Sequence, residues 1–375
     1  LASYAKALEL DPHFTLATVR LAGIVAGRDR DRAKSLVQCA ARNHGPLNPR
    51  EQLTLEIVSA DVLERDQKKV GTLVREYVRR FPDDPEGYFR LAGILAREGK
   101  AEETLATYER LVALDPNQAI AYNYLGYWFI GRHDFVKGED YLKRYRFLAP
   151  EQANPYDSLG ELYANTGRYD EAEEHLKRAL EIKPDFVPAV GHLGTLEVGK
   201  GNPAAAVDWF RRAAEMSESW KDKHGFAGAA VTALLDAGRP QEALELLDRA
   251  GAEAPEMPAR EAFAFRFYLG RSRAVVLALG GRAEEAEAEL AKLPPFPDDL
   301  EPKEREALQQ SLAGPRAAIA GAKGDFAAAV SLLRELLAGE KDRGAGDFGY
   351  YPAYFRLRTR LADADGLVGF VPPDS

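Results

Sequence analysis

The sequence predicts an all-α fold built from repeated antiparallel helix pairs. Prolines recur through the middle of the chain at Pro82, Pro116, Pro150 and Pro184, so each is 34 residues from the next. Leucines keep the same period, at Leu91, Leu125, Leu159 and Leu193. Apolar residues within each period follow helical spacing. A fixed period of this length predicts a stack of helical hairpins that share one continuous core.

Two further residue types repeat with these landmarks. A tyrosine precedes the first three leucines by three residues, at Tyr88, Tyr122 and Tyr156. A small residue follows each leucine, at Ala92, Gly126, Gly160 and Gly194. With these landmarks the chain resembles the tetratricopeptide repeat family, whose repeat length is about 34 residues. The resemblance implies a right-handed α-solenoid whose concave face is lined mainly by the first helix of each pair.

The third copy, residues 153–186, gives the physical reason for the pattern. Gly160 has no side chain, which lets the second helix, with Leu176 facing inward, approach the first helix closely. Gly167 lies in the turn between the helices and suits a helix C-terminus that needs a positive φ. Pro184 ends the hairpin because proline cannot continue a helix interior.

The repeats predict five segments along the chain. They are the second helix of a truncated repeat (1–14), two degenerate repeats (15–84), four repeats (85–223), three partly irregular helix pairs (224–343), and a loop with a C-terminal capping helix (344–375). Since the helix over 1–14 has no partner, we expect the sequence to be a fragment of a longer protein. The capping helix would cover the last apolar face with Tyr354, Phe355, Leu357 and Leu361.

Three local expectations depart from the regular pattern. The second helix of the copy that begins at Val187 has no terminal proline, and we expect it to run on through Trp220. A single helix pair is predicted from about residue 303 to 338. Gly138 occupies a position usually held by alanine, and Tyr145 is expected to fill the resulting void.

Composition argues against several classes of protein. The net charge is −9 and the pI about 5.4, without a basic stripe, so a nucleic-acid partner is not expected. No apolar run reaches the length of a membrane span. The first residues do not form a signal peptide. A cytoplasmic location is favoured, while the single cysteine, Cys39, leaves a periplasmic one open.

Motifs for catalysis, cofactors or metals are weak. Residues 194–200 have the spacing of a phosphate-binding loop, but Gly201 replaces the Ser or Thr that would hold magnesium. The glycine pattern at 344–349 is interpreted as a flexible loop. The six histidines are scattered without metal-ligand spacing, and for His192 a half-buried polar role is favoured over catalysis. We therefore predict no enzyme activity, no cofactor and no metal site.

The concave face is the remaining candidate site. On first helices of this family, the second, fifth, ninth and twelfth positions of the repeat commonly face the groove. By this register the predicted groove residues are Glu86, Phe89, Ile120, Asn123, Tyr127, Asn154, Asp157 and Glu161. Side-chain amides can pair with the backbone of an extended peptide, and Asn123 and Asn154 are expected to reach the same one. The basic residues of the subfamily that grips a C-terminal carboxylate are missing at these positions.

These patterns predict a non-catalytic interaction module that binds a peptide or protein segment. The stretches RRFPDDPEGYFRLAG and NPYDSLGELYANTGRYDEA, within residues 47–186, resemble repeat arrays of bacterial regulatory proteins. That resemblance implies a part of a larger bacterial regulatory or scaffold protein. The alternative is a purely structural spacer or oligomerisation array with no groove ligand. The sequence leaves the identity of the partner and the oligomeric state open.

Overall fold

The computed structural model describes residues 2–11, 14–27, 29–43, 45–252 and 256–340. Within these ranges the chain forms α-helices and one π-helical turn, without a strand. The helices are α1 (Ala2–Leu10), α2 (Thr15–Val25), α3 (Arg30–Asn43), α4 (Pro49–Ser59), α5 (Gln67–Arg80), α6 (Pro85–Arg97), α7 (Ala101–Leu114), α8 (Ala119–Ile130), α9 (Phe135–Leu148), α10 (Ala153–Asn165), α11 (Tyr169–Ile182), α12 (Val187–Gly199), α13 (Pro203–Met216), α14 (Trp220–Asp236), α15 (Pro240–Ala252), α16 (Ala259–Leu279), α17 (Ala283–Ala291), α18 (Pro302–Gln310), α19 (Ala313–Ala322) and α20 (Phe326–Glu340).

The helices follow one another in pairs, which confirms the predicted fold class. Eight consecutive pairs run from α2 with α3 to α16 with α17, and α19 with α20 forms a ninth within the described ranges. Helices α1 and α18 stand outside this pairing. Neighbouring pairs also contact each other, for example α10 with α12 and α14 with α16.

The chain divides into two compact units. The first contains residues 1–129 and 136–148, and the second contains 130–135 and 149–375. The first unit buries small aliphatic clusters between its pairs, such as Val37 with Val58 and Leu111 with Leu125. The second unit has a larger apolar cluster that includes Phe210 and runs from α13 to α19. Each unit therefore has its own core.

The small residue that follows the landmark leucine of the first helix controls how closely the two helices of a pair approach. A Cβ atom added to Gly126, Gly160 or Gly194 would lie only 2.6 Å from a side-chain carbon of the second helix. The opposing side chains are Leu142, Leu176 and Phe210 respectively. Contacts this short do not occur with real Cβ atoms, so these positions are restricted to glycine at the present helix separation. The predicted role of Gly160 is confirmed.

The turn inside each pair repeats with the same period. Gly99, Gly167 and Gly201 all have positive φ, at 71°, 76° and 79°. His133 lies at the corresponding place between α8 and α9, and its φ is 62°. The turn therefore requires the left-handed conformation, and one repeat places a side chain there that disfavours it.

Helix α13 ends earlier than the sequence predicted. We expected a helix through Trp220, but α13 stops at Met216 and Trp220 begins α14. The hydroxyl of Ser217 donates a hydrogen bond to the carbonyl of Ala213 at 2.7 Å, and Ser217 has extended backbone angles. Ser219 then caps α14 by accepting a hydrogen bond from the N–H of Lys221. Two serines therefore end α13 and begin α14 in a repeat that has no terminal proline.

The pair predicted from residue 303 is also interrupted. Instead of one first helix, α18 ends at Gln310 and α19 begins at Ala313. Pro315 has no N–H to bond the carbonyl of Ser311, and its ring would clash with that carbonyl in a continuous helix. The Ser311 hydroxyl donates to the carbonyl of Leu308 at the break. The predicted capping helix within 344–375 and the glycine pattern at 344–349 lie outside the described residues.

The close approach at Gly160 gives the first prediction. Replacing Gly160 with leucine should lower the free energy of unfolding by about 1–3 kcal/mol, because the new side chain collides with Leu176. Gly225→Leu is the matched control, since a Cβ there meets no atom within 4 Å. The measurement is urea denaturation followed by circular dichroism. Equal midpoints for the two variants would show that the packing at Gly160 is not restrictive.

The conformation of His133 gives the second prediction. His133→Gly should raise the free energy of unfolding by about 0.5 kcal/mol, because relief of the left-handed strain exceeds the added entropy of the unfolded chain. Gly167→Ala at the equivalent turn should lower it by about 1 kcal/mol. His133→Ala separates loss of the ring, which contacts Phe135, from relief of backbone strain. If His133→Gly lowers the free energy of unfolding, the claim that the backbone of His133 is strained is wrong.

Candidate functional site

An open groove of about 1060 Å³ lies within the first unit. Helices α2 and α6 form its walls, while α4 and α5 lie beneath. Its lining residues are Tyr4, Arg20, Gly23, Ile24, Ile57, Val58, Asp61, Gln67, Lys68, Val70, Val74, Glu86, Phe89, Arg90, Gly93, Ile94, Arg97 and Glu98. Two of the sequence-predicted groove residues, Glu86 and Phe89, are among them.

The start of α6 is fixed by a group of hydrogen bonds around Asp84. This carboxylate caps the helix by accepting from the N–H of Glu86 at 3.0 Å. The Tyr77 hydroxyl donates to Asp84 at 2.6 Å, and the Arg50 guanidinium lies 3.3 Å from it. Burial raises the pKa of Tyr77, and the hydrogen bond to Asp84 adds to the effect. The phenol therefore stays protonated and holds the first turn of α6, which carries Glu86 and Phe89.

A three-residue ion network crosses the groove. One Glu86 oxygen lies 2.7 Å from the Arg20 guanidinium on α2, and the other accepts from Nε of Arg90 at 2.9 Å. All three side chains are partly buried. One carboxylate is thus shared by two guanidinium groups. Each of these presents five donors, so further hydrogen-bonding capacity remains at this point of the groove.

Apolar surface lies beside this network. Ile24 is 45% exposed and Phe89 is 40% exposed. Below them Ile57 and Val58 are buried in the floor. Large apolar side chains that stay exposed in a concave surface are typical of a binding site.

The π-helical turn Ala60–Glu64 also contributes to the groove. It follows α4 directly and ends at Arg65, whose φ is 59°. Asp61 in this turn accepts a hydrogen bond from the amide of Gln67 at 2.8 Å, and both residues line the groove. The turn was not predicted, because the apolar spacing of Val58 and Val62 also fits an ordinary helix.

The other predicted groove residues do not line this cavity. Ile120, Asn123 and Tyr127 lie on α8 of the first unit; the first two are half-buried and Tyr127 is exposed. Asn154, Asp157 and Glu161 lie on α10 of the second unit. Asn154 and Glu161 are half-buried, whereas Asp157 is buried. The pairing of Asn123 with Asn154 through one peptide stays a prediction.

Asp157 has a partner inside the second unit. Nδ1 of His192 on α12 lies 2.8 Å from its Oδ1, and Nε2 of His192 lies 3.7 Å from Glu161. The side chain of Asp157 is 4% exposed and that of His192 is 21% exposed. The sequence predicted Asp157 and Glu161 as groove residues and a half-buried polar role for His192, but it did not predict that the three contact one another. The arrangement links two neighbouring first helices, α10 and α12.

Charge decides the protonation state of His192. Burial by itself would lower the pKa of this imidazole, but the charge of Asp157, its hydrogen bond and the nearby Glu161 outweigh burial and raise the pKa to about 9. The ring is therefore an imidazolium at neutral pH. A group in this state cannot act as a general base, and a structural ion pair is the chemistry that the geometry supports.

The phosphate-loop spacing at 194–200 has a structural explanation. Gly194 lies within α12 and packs against Phe210, and Lys200 follows the helix end. Lys200 lies 2.5 Å from Glu173, whose other neighbour is Lys177. Hydrogen bonds from Lys177 and Lys200 lower the pKa of Glu173 to about 2. The lysine is engaged in an ion network and no strand precedes the motif in the described chain.

Within the described residues, no group of three or more His, Cys, Asp or Glu side chains is arranged to hold a metal ion. None of the described helices is both long enough and apolar enough to span a bilayer.

The basic residues of the groove were missed by sequence analysis. Arg20 belongs to a degenerate repeat, where the register of groove positions was not assigned. Arg90 and Arg97 lie one residue beyond the positions that the family pattern predicts. The sequence did contain a signal for Arg90 and Arg97. They follow helical spacing with Glu86 and Gly93 and so share one face of α6.

Comparisons with known proteins agree with this architecture. Family models described as tetratricopeptide repeat match residues 72–119, 158–186 and 225–249. A search of the curated proteins found no match.

Two solved structures share the fold. A tetratricopeptide repeat protein from Parabacteroides merdae is 17% identical, with a TM-score of 0.52, over 70% of this chain and 98% of that one. A chain in the APC/C hetero-tetramer Cut9–Hcn1 is 13% identical, with a TM-score of 0.53, over 94% of this chain and 56% of that one.

The ion pair at His192 predicts a pH-dependent stability. The pKa of His192 in the folded protein lies above the unfolded value of about 6.5. The contribution of the ion pair to the free energy of unfolding is therefore full below pH 6.5 and is lost as the pH rises through about 9. We expect the loss to be on the order of 1–3 kcal/mol. Urea midpoints measured from pH 6 to 10 should fall in the wild type and less so in His192→Gln. Parallel profiles for the two proteins would contradict the assignment.

Proposed function

We propose that this chain, which contains a tetratricopeptide repeat region, is a non-catalytic protein–protein interaction module whose ligand binds in the groove of the first unit. One observation carries the proposal. The open groove of about 1060 Å³ combines exposed Ile24 and Phe89 with partly buried charged groups. Small-molecule pockets are usually smaller and more enclosed. An open channel lined in this way suits a segment of polypeptide.

The groove also supports the proposal that no reaction takes place in it. Its lining residues include no serine, threonine, cysteine or histidine, the side chains that most often supply a nucleophile or a general base. The carboxylate of Glu86 is already paired with two arginines, Arg20 and Arg90. Binding without catalysis is therefore the function that these side chains favour.

The wider setting is part of the proposal. The resemblance to arrays of bacterial regulators supports a role within a larger regulatory or scaffold protein of the cytoplasm. A net charge of −9 argues against a nucleic-acid partner.

A structural spacer without a ligand is the alternative. On that account the groove would be a by-product of helix stacking. Filling it would then change neither binding nor stability.

Two glycines make a direct test possible. Gly93 lines the groove, and a Cβ built there meets only the flexible end of Arg97, at 4.0 Å. Gly93→Trp should therefore fill the groove without disturbing the core. Gly225→Trp is the matched control, because it lies on α14 with no atom within 4 Å of its Cβ.

We predict that peptides selected by the wild-type chain from a phage-displayed library lose at least about 90% of their binding to Gly93→Trp. Gly225→Trp should bind them as the wild type does. Thermal melting of both variants should stay near that of the wild type, since neither glycine is packed. The proposal would be wrong if the library yields no peptide, or if selected peptides bind Gly93→Trp with unchanged affinity.

A further inference from the structure

We infer that the segment bound by the groove is acidic and carries a large apolar side chain. This inference rests on the proposed function, since it specifies the ligand of the same groove. It comes from the distribution of charge among the lining residues and from the exposed apolar surface beside them.

The groove has the opposite charge to the chain as a whole. Four cationic residues line it, namely Arg20, Lys68, Arg90 and Arg97. Three acidic residues, Asp61, Glu86 and Glu98, line it as well. The lining therefore carries a formal charge of +1, in a chain whose net charge is −9.

The three acidic residues are already engaged. Glu98 lies 2.6 Å from Arg75 and 3.4 Å from Lys100, two cations that are not among the lining residues. Hydrogen bonding from Arg75, followed by its charge and by Lys100, lowers the pKa of Glu98. Asp61 accepts the amide of Gln67. Two of the three acidic residues, Glu86 and Glu98, are thus already paired with cations, and Asp61 is the remaining carboxylate of the lining.

The cations are less well neutralised. Arg20 and Arg90 share the single carboxylate of Glu86. Lys68 and Arg97 are exposed and form no ion pair within the described part of the chain. Guanidinium groups bind carboxylates through two parallel hydrogen bonds. The groove therefore has donors for more than one ligand carboxylate.

The position of the apolar surface completes the description of the ligand. Phe89 immediately precedes Arg90 in α6, and Ile24 lies on α2 one turn beyond Arg20. Each exposed apolar side chain thus has a guanidinium close to it in sequence. A segment in which acidic residues flank leucine or phenylalanine would match both features.

Synthetic peptides test this composition directly. The probes are three ten-residue peptides in which leucine alternates with glutamate, with glutamine or with lysine. Their apolar content is the same, so differences in affinity report charge. A single-stranded oligothymidine is a fourth probe, because phosphates would also be attracted to arginines. Fluorescence anisotropy with the whole chain gives the dissociation constants.

We expect the glutamate peptide to bind about tenfold more tightly than the glutamine peptide, and the lysine peptide to bind more weakly than either. Raising the salt from about 0.05 M to 0.5 M should remove most of this difference. The double substitution Lys68→Gln and Arg97→Gln should lower the affinity for the glutamate peptide about three- to tenfold. The control pair, Arg79→Gln and Lys303→Gln, makes the same change in net charge outside the groove and should leave the affinity for the glutamate peptide unchanged.

Several outcomes would overturn the inference. Equal affinity for the glutamate and glutamine peptides, or equal weakening by the groove pair and the control pair, would show that groove charge does not select the ligand. Tighter binding of oligothymidine than of the glutamate peptide would point to a nucleic acid instead. If the glutamine peptide binds the wild type, is indifferent to salt and is lost in Gly93→Trp, the proposed function stands while the acidic preference fails.

Discussion

The close approach of the two helices in each pair is the constraint on which the rest of the structure depends. At Gly126, Gly160 and Gly194 the first helix has no side chain, and a leucine or phenylalanine of the second helix fills the space. This contact fixes the separation of the helices, while a left-handed turn residue reverses the chain after α6, α8, α10, α12, α14, α16 and α19. Because each pair buries its apolar face against its neighbours, successive first helices come to lie beside one another. Ion pairs such as His192 with Asp157 then form between them.

The groove of the first unit is a consequence of this stacking, but its chemistry comes from other residues. Asp84 and Tyr77 hold the beginning of α6, and that helix presents Glu86, Phe89 and Arg90 toward α2. The same kind of position has a different environment in the second unit, where Asp157 is buried against His192. Equivalent positions in a repeat array therefore line an open groove in one place and form a buried ion pair in another.

The sequence predicted the parts of the fold that depend on period. The landmark leucines, the small residues and Gly167 all lie where the repeat placed them, because one packing arrangement recurs in every copy. The prediction from sequence failed where a local side chain overrides the repeat period. Ser217 and Ser219 end one helix and begin the next, and Pro315 separates α18 from α19. His133 takes the turn conformation without being glycine, which only the neighbouring repeats explain.

The site was less predictable than the fold. The family register assigned Glu86 and Phe89 to the groove, whereas Arg20 lies in a degenerate repeat for which no groove positions were predicted. The ion network through Glu86 joins residues 66 positions apart, Arg20 and Glu86, and no period relates them. Contacts of this kind depend on the three-dimensional stacking of α2 and α6. Sequence spacing places Arg90 and Arg97 on one face of α6, but it could not show that Arg20 of α2 lines the same groove.

Hydrogen–deuterium exchange of the chain with and without a saturating selected peptide tests the central claim most directly. Ligand binding in the groove should slow exchange of backbone amides in α2 and α6, whose side chains form its walls, and leave α3 and α7 nearly unchanged. Protection confined to α3 and α7, or to the second unit, would contradict the assignment of the groove as the binding site.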